Sequence, residues 1–134
     1  MSEPMKRSRI RKRAIGPFAA IERELDVLWS RLVLKKNGGF CVHCSPHKIP
    51  ATDPHHIFLR KFLSTRWTLA NGIPLCRECH DWAHCERVAH QWFVCSYVMS
   101  VDEYEALRLR SNTPVPSPSM VWYYEEQRKL LEGY

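Results

Sequence analysis

The chain has 134 residues, with 20 Lys and Arg against 14 Asp and Glu, six Cys, seven His, nine Pro and five Gly. That length holds one domain with tails and leaves no room for two enzyme cores. A 45% hydrophobic share with 25% charged residues argues against wholesale disorder. Size and missing glycine signatures exclude Rossmann, P-loop and barrel chemistry. No apolar run approaches the ~20 residues of a membrane helix. The stretch 14–21 contains Gly16 and Pro17 and runs into Glu22-Arg23-Glu24, so it makes a poor signal peptide. A cytoplasmic protein with no membrane partner is the expectation.

Charge is concentrated at one end. Lys6, Arg7, Arg9, Arg11, Lys12 and Arg13 match the whole formal net charge of +6, so the remaining basic and acidic residues balance. Residues 1–13 also lack apolar periodicity and read as a flexible basic arm. It is either a solubilising or targeting tail, or a set of phosphate contacts to nucleic acid.

An N-terminal helical segment follows within 14–39. Phe18, Ile21, Leu25, Leu28, Trp29 and Leu32 recur at three- and four-residue steps, which predicts one apolar helix face over 17–36 that docks on the domain. Lys35 and Lys36 suit its C-terminal end, and Asn37-Gly38-Gly39 stops it. Within 40–99 the prolines at 46, 50, 54 and 74 break up long elements. Two short strands are expected, one near His56-Ile57-Phe58, then a helix over 77–85 whose apolar pattern continues or restarts toward Val98. Ser100 with Glu103 forms a capping box for a helix over 101–110. In 100–134, Pro114, Pro116 and Pro118 predict an extended linker before a last helix over about 119–131. Trp67, Trp82, Trp92, Phe93 and Trp122 read mostly as core rather than as base-stacking platforms.

Cys41-x-x-Cys44 and Cys76-x-x-Cys79 are paired knuckles that can surround one tetrahedral structural Zn2+. Disulfides are the weaker reading: Cys85 and Cys95 stand outside the knuckles, and a Cys-x-x-Cys bridge closes a strained ring. Histidines form a second cluster. His55 and His56 are adjacent, so in a strand they point to opposite faces. His80 and His84 lie four apart, so on a helix both rings face one way. Two helical histidines and one strand histidine make a three-ligand metal site with open positions, which is the pattern of a catalytic cation. His43, His47 and His90 receive no role, and His43 is expected to be exposed.

The string Asp53-Pro-His-His-Ile, then Asn71-Gly-Ile-Pro-Leu-Cys-Arg-Glu-Cys-His80, then His84 resembles the HNH endonucleases of the ββα-metal (His-Me finger) superfamily. The offsets His56–Asn71, Asn71–His80 and His80–His84, namely 15, 9 and 4, are similar to those of the DNase colicins; the four-cysteine zinc is similar to a branch found in phage and restriction nucleases. Within that branch the pattern resembles the RecA-dependent recombination-enhancement nucleases of phages. The resemblance covers roughly residues 41–84. It implies a small α+β fold, with a ββα-metal core and structural zinc flanked by N- and C-terminal helices. It also implies hydrolysis of DNA phosphodiester bonds that leaves 5′-phosphate and 3′-hydroxyl ends, in phage or mobile-element DNA processing, with DNA and a recombinase filament as partners.

By position, the resemblance makes His56 the general base and Asn71 the residue that orients it, though Asn71-Gly72 is also a turn signal. His55, His80 and His84 would hold one divalent cation (Mg2+, Mn2+, Ni2+ or Zn2+). Asp53 stands as a turn residue or a substitute ligand, and His80 as a ligand or a neighbour of the zinc. Arg60, Lys61 and Arg66, between the paired histidines and Asn71, are the DNA-backbone candidates beside the arm. The rival from another class is a catalytically inert zinc module that recognises nucleic acid or protein, and a third is a zinc scaffold whose arm binds an acidic partner.

Overall fold

The computed structural model describes residues 16–115 and 119–134. The six basic side chains of the arm, and Pro116 and Pro118 of the linker, lie outside those residues. Helix α1 (Ala19–Leu34) buries Leu25, Trp29 and Val33, one residue per turn along a single stripe. It ends where Asn37, Gly38 and Gly39 take φ values of 53°, 67° and 87° in succession. That left-handed run costs little only with Gly and Asn, and it reverses the chain toward the first cysteine knuckle. The Lys36 ammonium donates to the carbonyls of Leu69 (2.6 Å) and Gly72 (2.8 Å), tying the helix end to the second strand segment.

Strands β1 (Asp53–His56) and β2 (Gly72–Leu75) pair antiparallel, with His55 opposite Ile73 and His56 opposite Gly72. Pro54 faces Pro74, which a two-stranded sheet tolerates because both strands are edges. Helix α2 (Arg77–Cys85) starts directly after β2, at the span expected from the periodicity. The pattern does not run on unbroken. At Glu86 the backbone leaves helical values (φ −114°, ψ 65°), and α3 (Arg87–Phe93) then ends in a π-helical turn over Val94–Val98. Helix α4 (Val101–Ser111) is capped by the Ser100 hydroxyl, which accepts from Glu103 N–H; α5 (Met120–Glu132) is capped in the same way by Ser119. Among the described residues the fold is therefore α+β, with five α-helices and one two-stranded sheet.

Two apolar clusters hold it together. One joins α1 to α5 through Leu25, Trp29, Val33, Trp67, Tyr123, Tyr124 and Leu131. The other packs Cys41, Ile73, Leu75, Cys79, Ala83 and Val94 around the cysteines. Gly72 sits where β2 crosses α1: a Cβ there would lie 2.4 Å from Val33 Cγ2 and 2.6 Å from Trp29 Cζ2. Its backbone is extended, so Gly72 serves this close approach rather than a turn. Trp67 is core as expected. Trp92 (64% exposed) and Trp122 are not, because their helix positions face away from both clusters.

Candidate functional site

The knuckles meet. Cys41 and Cys44 come from the turn after α1, Cys76 caps the start of α2, and Cys79 lies in its first turn. One sulfur from each lies within 4.8 Å of the others. Cys44 Sγ is 3.5 Å from Cys79 Sγ and 3.9 Å from Cys76 Sγ, and no cysteine is in a disulfide. Sulfurs bound tetrahedrally at ~2.3 Å sit roughly 3.8 Å apart, so the four fit one metal ion. Burial first, with the surrounding thiols adding to it, raises Cys79; burial also pushes Cys44 up to about 11 against an opposing bond from Cys79. At Cys41 burial is outweighed by hydrogen bonds, which hold it below its ordinary value. Four thiolates at this spacing need a cation to hold them ionised. His43, which was expected to be exposed, is half-buried: its Nδ1 is 3.2 Å from Cys79 Sγ, and its ring stacks on Trp82 at 4.3 Å.

The histidines meet as well. His55, His80 and His84 each bring a ring nitrogen within 4.8 Å of the other two. His80 Nε2 and His84 Nε2 are 3.1 Å apart, as helical i, i+4 spacing allows. Two imidazole nitrogens on one metal ion at ~2.0–2.1 Å sit roughly 3.0–3.4 Å apart, so this pair also fits a shared ion. His55 is 5% exposed, and its Nδ1 is buried without a hydrogen-bond partner. Burial first, then the surrounding imidazoles, pushes His55 down to about 3, which keeps the ring neutral and able to act as a ligand.

Asp53 is neither a bare turn residue nor part of the three-histidine cluster. Its Oδ2 accepts from His80 Nδ1 at 2.8 Å, which aims His80 Nε2 at His84. Burial alone would raise the Asp53 carboxyl, but the bonds from His80 and Thr52 and the nearby charges hold it below its ordinary value. His80 therefore serves the histidine cluster and not the cysteine one.

His56 points away from His55, toward α1. Its ring stacks on Trp29 at 3.8 Å with planes 11° apart, and its Nε2 donates to the Arg66 carbonyl at 2.9 Å. A carbonyl can only accept, so Nε2 carries the hydrogen and Nδ1 keeps a free lone pair. Burial pushes His56 down to about 4, so the ring is uncharged at neutral pH. A cleft of about 350 Å3 is lined by His55, His56, His80, His84, Asp26 and Arg60 together. It places a neutral acceptor beside three imidazole nitrogens close enough to share a metal ion, with the Arg60 guanidinium on the rim.

Two expected roles are corrected by these contacts. Asn71 does not reach the His56 ring. It is wholly buried; its Oδ1 accepts from Phe58 N–H, and its Nδ2 donates to the carbonyls of Phe58 and Thr65. It staples the loop after His56 shut and so fixes the strand end that carries the ring. Arg66 is not a free phosphate contact. It is 8% exposed, and its guanidinium is bound by Asp26 (2.7 and 3.1 Å) and Glu22 (2.9 Å) of α1. What Arg66 offers the site is its carbonyl. Arg60 is exposed on the cleft rim, whereas Lys61 is exposed with its ammonium 5.1 Å over the Phe62 ring and lines neither histidine-bearing cleft.

Trp29, Asp26 and Arg87 were missed in the sequence. Arg87 lines a second cleft, of about 190 Å3, with His55, His84 and His90. It lies three residues after His84 but across the break at Glu86, so no single-helix offset marks it in the sequence. No helix among the described residues is long and apolar enough to cross a membrane. Neither a protein-family model, nor a curated protein, nor a solved structure matches the chain.

Proposed function

We propose that the chain is a divalent-metal-dependent DNA endonuclease built on a ββα-metal core of β1, β2 and α2, with structural zinc in the four-cysteine site. One observation carries this reading: the neutral, carbonyl-anchored His56 shares a cleft with the three convergent histidines. A module that only binds needs no such acceptor beside open ligand positions.

In this reading His56 Nδ1 takes the proton of the attacking water. Trp29 and the Arg66 carbonyl hold the ring so that only Nδ1 faces the reaction. Asp53 holds His80 in the ligand tautomer. Arg60 neutralises phosphate charge from the rim. A divalent cation held by His55, His80 and His84 would supply Lewis-acid stabilisation of the phosphorane-like charge and of the departing oxygen. Water attacks phosphorus and the P–O3′ bond breaks, leaving 5′-phosphate and 3′-hydroxyl ends.

The test is conversion of a supercoiled plasmid by zinc-loaded protein in Mg2+, Mn2+, Ni2+ or Zn2+, with chelator as control. Nicked and linear DNA in at least one cation, and none without, is the expected result. No cleavage of single-stranded or duplex DNA in any cation would leave the inert zinc module as the better reading.

A further inference from the structure

His90 has no part in the chemistry above, yet it is built into the site. It comes from α3, beyond the break at Glu86, and is 7% exposed. Its Nε2 is buried without a hydrogen-bond partner. Its ring centroid is 4.8 Å from that of His55, with planes at 85°, and Trp82 meets its ring edge-on at 5.9 Å. The two buried unpartnered nitrogens of this region thus belong to neighbouring rings, His55 Nδ1 and His90 Nε2, lining one cleft.

A buried donor or acceptor left unpaired is costly, and two side by side compound that cost. Each removes the other's deficit if one ring donates and the other accepts, directly or through one water. A metal-ligating histidine needs a partner of this kind on its second nitrogen, to fix both tautomer and ring plane. His80 has Asp53; His55 has no carboxylate or carbonyl partner on Nδ1.

We infer that His90 is the positioning residue for His55: no direct bond joins the two nitrogens, so His90 Nε2 accepts the His55 Nδ1 hydrogen through one bridging water and leaves His55 Nε2 for the cation. The inference rests on cation binding by the three-histidine cluster and not on DNA cleavage. It gives the break at Glu86 a use: ending α2 there lets α3 turn and carry His90 back over β1, a position an unbroken helix would not reach.

The experiment is calorimetric titration of zinc-loaded wild type, His90→Phe and His90→Gln with Ni2+. Phenylalanine fills the space without a polar atom, while glutamine can accept the bond. The expected result is a loss of ~10–100-fold in Ni2+ affinity for His90→Phe, with most of it restored in His90→Gln. Wild-type affinity in a folded His90→Phe protein would overturn the inference. Wild type that takes up no Ni2+ would overturn the cluster itself. Ring-15N spectra of the wild-type protein decide the matter without any variant. His55 should show N–H character at Nδ1 and metal-bound character at Nε2 when loaded, and the reverse assignment would refute the role of His90.

Discussion

Burial of imidazole rings is the residue-scale feature with the widest consequence. His55, His56 and His90 are pushed down to about 3, 4 and 4, in each case by loss of solvation first. Between their ordinary value near 6.5 and about 4, the unfolded chain binds protons that the folded chain refuses. Stability therefore rises with pH across that window and is lost on acidification, by up to three protons per molecule. Denaturant midpoints should fall between about pH 7 and pH 5, and the fall should be shallower in His90→Phe, which has one fewer such ring. Equal midpoints at both pH values would mean that these rings take up protons in the folded state. The same burial keeps the His56 ring neutral, and with Nε2 committed to a carbonyl only Nδ1 retains an open lone pair.

At the scale of elements, α1 does more than cover the sheet. Its Trp29 stacks on His56, and its Glu22 and Asp26 clamp the residue whose carbonyl holds His56. This packing depends on Gly72. Gly72→Ala should destabilise the fold by ~1–3 kcal/mol in denaturant unfolding, since neither Trp29 nor Val33 has room to move. Unchanged stability would contradict the close approach. The stripe of α1, the knuckles and the His80/His84 pair were legible in the sequence because each is a local offset that one helix turn or one tight turn realises. The clamp on Arg66 was not legible, since it joins side chains some forty residues apart and nothing local distinguishes that arginine from Arg60. The span of α2 was legible as well, but apolar spacing runs on past Glu86, so the spacing alone did not decide between continuation and the restart seen at Arg87. Asn71 was legible as a site residue but not in its contacts, because a side-chain amide serves a loop staple as readily as a ring.

For the whole molecule, the two clusters of ligands make different demands. The cysteines lie inside an apolar core, so Cys79→Ser should remove metal and unfold that half of the chain. The histidines line a cleft, so His84→Ala should stay folded by circular dichroism and lose affinity for the added cation. A folded cysteine variant alongside an unfolded histidine variant would reverse the assignment. The arm belongs to this scale by charge alone. Deleting residues 1–13 removes six basic side chains and should weaken binding to all DNA sequences alike. The slope of log K against log salt should flatten by ~2–4, out of a possible ~5, while turnover at saturating DNA holds. An unchanged slope would move the phosphate contacts onto Arg60 and the cleft rim.

The central claim is that His56 is a base and not a packing residue for Trp29. The measurement that reaches it most directly is the nicking rate of His56→Ala at saturating DNA and cation, on protein shown by circular dichroism to be folded and zinc-loaded. His56 is not a member of the three-histidine cluster, so cation affinity should stay near wild type while the rate falls at least ~100-fold. A folded, cation-bound His56→Ala protein that nicks plasmid within a few-fold of wild type would contradict the account.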